Sequence, residues 1–172
     1  MTFDELKKRF PAKTMIEAEW HQHSNGGGWV QNTAHVADTA FVDENAIVVD
    51  KAIVVDHAHI VDNAIVGGTA TIMDRAAVFN YAYVTGNASV QGDAWVHGDA
   101  FVCGDALIYG RAEVAGTAMV YGEASVFDFA IVIGAATIWG KAMVGGDAMI
   151  FGNSHITGNE ERYGTVRHLE QG

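Results

Sequence analysis

From Ala34 to Asn159 the chain repeats one six-residue unit, Ala-x-(Val/Ile)-x-(Gly/Asp)-x, 21 times without an insertion or deletion. A fixed period held over 126 of 172 residues constrains the fold more than any other property of the sequence. The first position is Ala in 20 units and Ser154 in the last, and the third is always Val or Ile, from Val36 to Ile156. The fifth is Gly in 13 units and Asp in six (Asp38, Asp50, Asp56, Asp62, Asp74, Asp128), with Glu44 and Asn80 completing the set. Apart from Glu44, these residues enter the left-handed backbone region at least cost. In an extended segment alternate side chains share a face. Ala and Val/Ile therefore point one way, the second and fourth residues point the other, and the fifth turns the corner. Three such corners close a triangular coil of 18 residues, and 21 units make about seven coils. At about 4.8 Å per stacked strand the solenoid is roughly 34 Å tall. The expected fold is all-β, a single-stranded parallel β-helix over 33–159, with an N-terminal capping or bracing segment at 1–32 and a C-terminal tail at 160–172. A helix is excluded by the period and by a β-branched residue and a turn residue in nearly every unit.

The repeat resembles that of the trimeric left-handed β-helix superfamily, the hexapeptide-repeat proteins, which includes many acyltransferases and the γ-class carbonic anhydrases. The Gly26-Gly27-Gly28-Trp29-Val30 stretch and the FDFA at 127–130 are similar to the YdcK-like bacterial and prophage members of that superfamily. The resemblance implies a left-handed coil and a homotrimer. One departure bears on activity. Enzymes of the superfamily place the turn residue directly after the aliphatic one, whereas here it comes one place later, as in Val96-His97-Gly98.

The γ-carbonic anhydrase pattern would imply a His-x4-His pair, and no two histidines here have that spacing. His59 and His97 share a face but stand two coils apart, roughly 10 Å, too far for one zinc within a chain. No metal site is expected. The acyltransferase pattern implies an acyl-CoA along a subunit groove, and His97 is the one candidate general base, set against the plainer reading of a surface histidine. Trp95, His97 and Asp99 form the candidate ligand-binding set. Cys103 is the single cysteine, with no basic residue beside it to activate the thiol. Its isolation leaves no disulfide or structural zinc cluster and makes a reducing cytoplasm the expected compartment. No apolar run is long enough for a membrane span or a signal peptide.

Charge is distributed as unevenly as the repeat is regular. The formal net charge is −11, yet only 18% of residues are charged. Residues 33–158 hold 14 acids and four bases, almost all at corners. Of 42 outward strand positions only Asp43 and Glu113 carry charge. Direct phosphate-backbone binding is excluded by this balance. Asp38, Asp56 and Asp74 fall in one column, where left-handed turn aspartates are weighed against a cation site. One face carries Ile47, Ile65, Tyr83, Phe101 and Met119 in a column, with Tyr121 and Trp139 beside it, and has no charged residue. A monomer rarely exposes so large an apolar patch, so this face is the expected subunit interface; residues 1–32, with Phe3, Leu6, Trp20 and Trp29, are the other candidate cover. These features lead to a non-catalytic oligomeric binding or structural protein that takes a protein partner or a small ligand in inter-subunit grooves, and the resemblance implies a prophage origin. The alternatives are an acyltransferase and an acidic nucleic-acid mimic.

Overall fold

The computed structural model describes residues 1–11 and 14–163. A short helix α1 (Phe3–Arg9) and a hairpin, β1 (Trp20–Gln22) and β2 (Trp29–Gln31), precede β3 (His35–Val36), β4 (Phe41–Val42) and β5 (Ile47–Val48). Strands then recur every six residues to β24 (Glu161–Tyr163). They form three sheets of nine, seven and eight strands, and every third strand is a neighbour in the same sheet. The result is a triangular parallel β-solenoid of 18-residue coils, in the register the repeat predicts: Tyr83 lies beside Ile65 and Phe101, and Trp95 beside Ala77 and Glu113.

The core follows from the two inward positions. Every Val or Ile from Val42 to Ile156 at the third position is fully buried, and every first-position Ala from Ala40 to Ala148 is 0 or 1% exposed. Each buried Val or Ile contributes roughly 1.5–3 kcal/mol by leaving water. The narrow first position takes a small residue, alanine in 20 units and Ser154 in the last. Backbone N–H groups of one coil donate to carbonyls of the next, as from His35 to Ala52 (2.9 Å) and from Tyr83 to Ala100 (2.9 Å).

Corners use the fifth residue at positive φ, near 60° for Asp50, Asp56, Asp62, Asp74, Asn80 and Asp128. The aspartates serve a second purpose. Their Oδ2 atoms accept the fifth-position N–H of the next coil: Asp50 from Gly68 (3.1 Å), Asp56 from Asp74 (3.2 Å), Asp74 from Gly92 (2.9 Å) and Asp128 from Gly146 (3.2 Å). Asn80 does the same for Gly98 with Oδ1 (3.3 Å). These are the corner amides that the coil-to-coil backbone ladder leaves over, so a short polar side chain that tolerates positive φ replaces water there.

The solenoid begins one unit earlier than the repeat of alanines suggests. Residues 28–33 continue the coil, with Trp29 and Val30 of β2 in register with Ile47 and Val48, and Val30 fully buried. Gly28 occupies the alanine position because a Cβ there would stand 2.4 Å from the Asp43 carbonyl oxygen. Above β2, the antiparallel strand β1 pairs Trp20 with Gln31 and Gln22 with Trp29. Residues 25–28 cover the edge of β4, where Val42 donates to Asn25 and accepts from Gly28 (both 3.0 Å). The buried His23 holds this loop: its Nε2 donates to the Ala40 carbonyl at 3.0 Å, which fixes the tautomer. The hairpin thus blunts two sheet edges that would otherwise invite further pairing.

Helix α1 opens on a capping box in which Thr2 and Glu5 exchange hydrogen bonds. It braces the side of the solenoid. Phe3 and Leu6 are buried against Trp20, Trp29, Ile47 and Val49, with Ile65 packed at the edge. Arg9 donates to the carbonyls of Asn45 (2.6 Å) and Asn63 (2.9 Å), one corner position in each of two successive coils.

Candidate functional site

The apolar face expected to form the interface is the nine-stranded sheet, and its upper third is already covered. Ile47 is fully buried beneath α1, so it is a core residue of this chain and not an available contact. The sequence column could not show which face the N-terminal segment would choose. Ile65 lies at the margin of that cluster. Below it the sheet is open: Tyr83, Met119 and Trp139 are exposed, while Phe101 and Tyr121 are half-buried. The aromatic rings meet down the coils, Tyr83 tilted against Phe101 at 5.6 Å and Tyr121 stacked on Trp139 at 6.1 Å. Cys103 stands on the same face, half-buried, and burial pushes its thiol pKa up from the ordinary value. That is opposite to what a reactive thiolate requires.

The seven-stranded sheet carries the polar chemistry. His97 lies flat on Phe79, with ring centroids 4.5 Å apart and planes 2° from parallel. Its Nε2 meets Glu113 Oε1 at 3.0 Å, across one coil. Trp95 projects beside them, 52% exposed, its ring nearly perpendicular to Phe79. Trp95 and His97 are therefore brought together, whereas Asp99 lies at the following corner, exposed, with no side-chain hydrogen bond or ion pair among the described residues. Glu113 and Phe79 were the missed partners. Glu113 stands out in the sequence as one of two charged outward strand residues, but its link to His97 spans 16 residues, a diagonal that sorting by 18 does not reveal.

On the other side of Trp95 a groove of about 650 Å³ runs along the corner. Arg75, Asp93 and Arg111 form one wall, Ala112 and Glu113 the floor, and Trp95, Phe129 and Ile131 complete the lining. Arg75 grips Asp93 with two bonds, Nε to Oδ1 at 2.8 Å and Nη2 to Oδ2 at 3.1 Å. Arg111 instead lies over the Phe129 ring, 5.6 Å from its centroid.

The column of Asp38, Asp56 and Asp74 is explained by backbone hydrogen bonding at its lower members, where Asp56 and Asp74 each accept a corner amide. Among the described residues no group of three His, Cys, Asp or Glu side chains is arranged to hold a metal ion. No described helix is long and apolar enough to cross a membrane. No family model, curated protein or solved structure matches the chain.

Proposed function

We propose that this is an oligomeric β-helical binding protein, not an enzyme, whose copies associate through the lower part of the nine-stranded sheet. The observation that carries the reading is the uncharged stripe of Tyr83, Phe101, Met119, Tyr121 and Trp139, left open where the N-terminal brace ends. The brace covers Ile47 and Val49, and a second copy of the chain is the simplest cover for the apolar column that continues below them. A threefold arrangement suits a triangular rod, agrees with the resemblance to the hexapeptide-repeat trimers, and creates the inter-subunit grooves in which a partner or small ligand would sit. The left-handed coil and a prophage origin belong to the same reading.

Native mass spectrometry of the wild-type chain and of Met119→Lys and Trp139→Glu tests it. The wild type should appear at three times 18.4 kDa, and each charged variant should fall to monomer while keeping its β circular dichroism. A wild-type monomer at micromolar concentration would refute the proposal.

A second reading is favoured by one observation. Glu113 on His97 Nε2 orients the imidazole and leaves Nδ1 as the free nitrogen, an arrangement suited to a general base. Under that reading the chain is an acyltransferase that takes acyl-CoA in a subunit groove. Failure of acetyl-CoA to bind at millimolar concentration would eliminate it.

A further inference from the structure

The two arginines within residues 34–159 stand on the same wall of the groove beside Trp95, two coils apart. In a stretch with 14 acids and four bases this pairing concentrates half of the positive charge at one place. The two are used differently. Arg75 is committed to Asp93 through both oxygens of the carboxylate, which neutralises it. Arg111 stands over the Phe129 ring, its guanidinium carbon 5.6 Å from the centroid, and no carboxylate pairs with it among the described residues. Its guanidinium edge is free to take a carboxylate through two parallel N–H bonds.

The remaining lining defines the rest of the ligand. Trp95, Glu113 and Ile131 succeed one another down a single column, so the half-exposed indole and the isoleucine flank a floor made by Glu113 and the small Ala112. An exposed tryptophan offers a flat apolar face to a ring. Glu113 spends Oε1 on His97, and its Oε2 remains an acceptor for a hydroxyl donor. A volume of about 650 Å³ holds a single substituted ring with bound water. With Arg75 paired to Asp93 and the Glu113 carboxylate in the floor, Arg111 is the one cation left for an anion, which favours a single negative charge and disfavours phosphates.

We propose that this groove binds a hydroxylated ring carboxylate of the uronic-acid class: carboxylate on Arg111, ring face on Trp95, hydroxyl on Glu113. The ligand would be a free acidic sugar or the acidic unit of a glycan. This goes beyond the inter-subunit groove of the reading above. Its site lies on a different sheet from the proposed contact between copies, so binding and self-association can fail separately.

The test is calorimetric titration of the full chain with D-glucuronate at constant ionic strength, alongside glucose, benzoate and inorganic phosphate, with tryptophan fluorescence as a second readout. Glucuronate should bind saturably and quench fluorescence, and the other three should bind at least roughly tenfold more weakly, each lacking a group that the site engages. Arg111→Gln should weaken glucuronate by roughly tenfold or more at unchanged melting temperature. Trp95→Ala should abolish the quench. Methyl glycosides of glucuronate distinguish a glycan terminus from the free sugar, and binding of either supports the site. No glucuronate binding, equal binding of glucose, benzoate or phosphate, or an Arg111→Gln variant with wild-type affinity would overturn the proposal.

Discussion

Asp74 isolates the two tasks that the corner residue performs, because three substitutions separate them. It sits at φ 60° and its Oδ2 accepts the Gly92 N–H at 2.9 Å. Asp74→Ala keeps a Cβ at positive φ and removes the acceptor. The left-handed conformation costs alanine about 1–2 kcal/mol, and the lost hydrogen bond about 0.5–1.5 kcal/mol, toward the lower end because the corner is open to water. The expected loss is about 2 kcal/mol. Asp74→Gly loses the same bond but relieves the backbone, so the two effects offset and the change is close to zero. Asp74→Asn keeps an acceptor and a side chain that tolerates the region, and should also stay near wild type. Thermal unfolding followed by circular dichroism should show alanine about 4–8 °C below the other two. If alanine equals glycine, positive φ carries no cost here. If glycine falls as far as alanine, the amide bond dominates and the left-handed argument is wrong.

Other consequences follow from packing. A Cβ on Gly145 would stand 2.4 Å from Phe127 Cζ, so Gly145→Ala should displace the Phe127 ring from its stack on Tyr109, now at 5.1 Å, and lower stability by about 1–3 kcal/mol in urea unfolding. Leu6 is fully buried, and Leu6→Ala should loosen α1 by about 2–5 kcal/mol, raising amide exchange in residues 3–9 and dye binding to the uncovered Ile47 and Val49 while leaving exchange in the lower coils unchanged. The Glu5 carboxylate accepts the Thr2 N–H and, second, its hydroxyl, which together hold its pKa below the ordinary glutamate value. A lowered folded-state pKa contributes stability above the unfolded value and loses it as pH falls through the folded one. Glu5→Gln should therefore flatten the acid side of the α1 exchange profile, with no change near neutral pH in that slope.

The repeat made the core readable almost residue by residue, because each alanine and each Val or Ile answers to a two-residue alternation and a fixed corner. It also placed the columns correctly, since Tyr83, Phe101 and Met119 do stack in one sheet. The legible part ends where geometry depends on segments outside the period. Nothing in the hexapeptide pattern says that α1 lies over Ile47 in place of Ile53 or Phe41. Gly28 ends the Gly26-Gly27-Gly28 run and carries no alanine to mark it as part of the repeat, yet it is an alanine position emptied by the close pass of the Asp43 carbonyl. The His97–Glu113 pair was hidden for a different reason. Sorting by coil aligns residues 18 apart, whereas long side chains at neighbouring columns meet on the diagonal. The acidic column held a further lesson: Asp56 and Asp74 look like repelling charges until their carboxylates are seen to face backbone amides.

The central claim, that the open part of the nine-stranded sheet is buried between copies, can be measured on its own face. Cys103 is the single thiol in the chain and stands between the Phe101 and Tyr121 positions. Its rate of modification by a bulky maleimide, compared between wild type and the Trp139→Glu variant at one protein concentration and a mildly alkaline pH, reports whether that face is covered. The account predicts slow modification in the wild type that accelerates several-fold on dilution, and fast, concentration-independent modification in the variant. Equal, fast rates in both proteins at every concentration would contradict it.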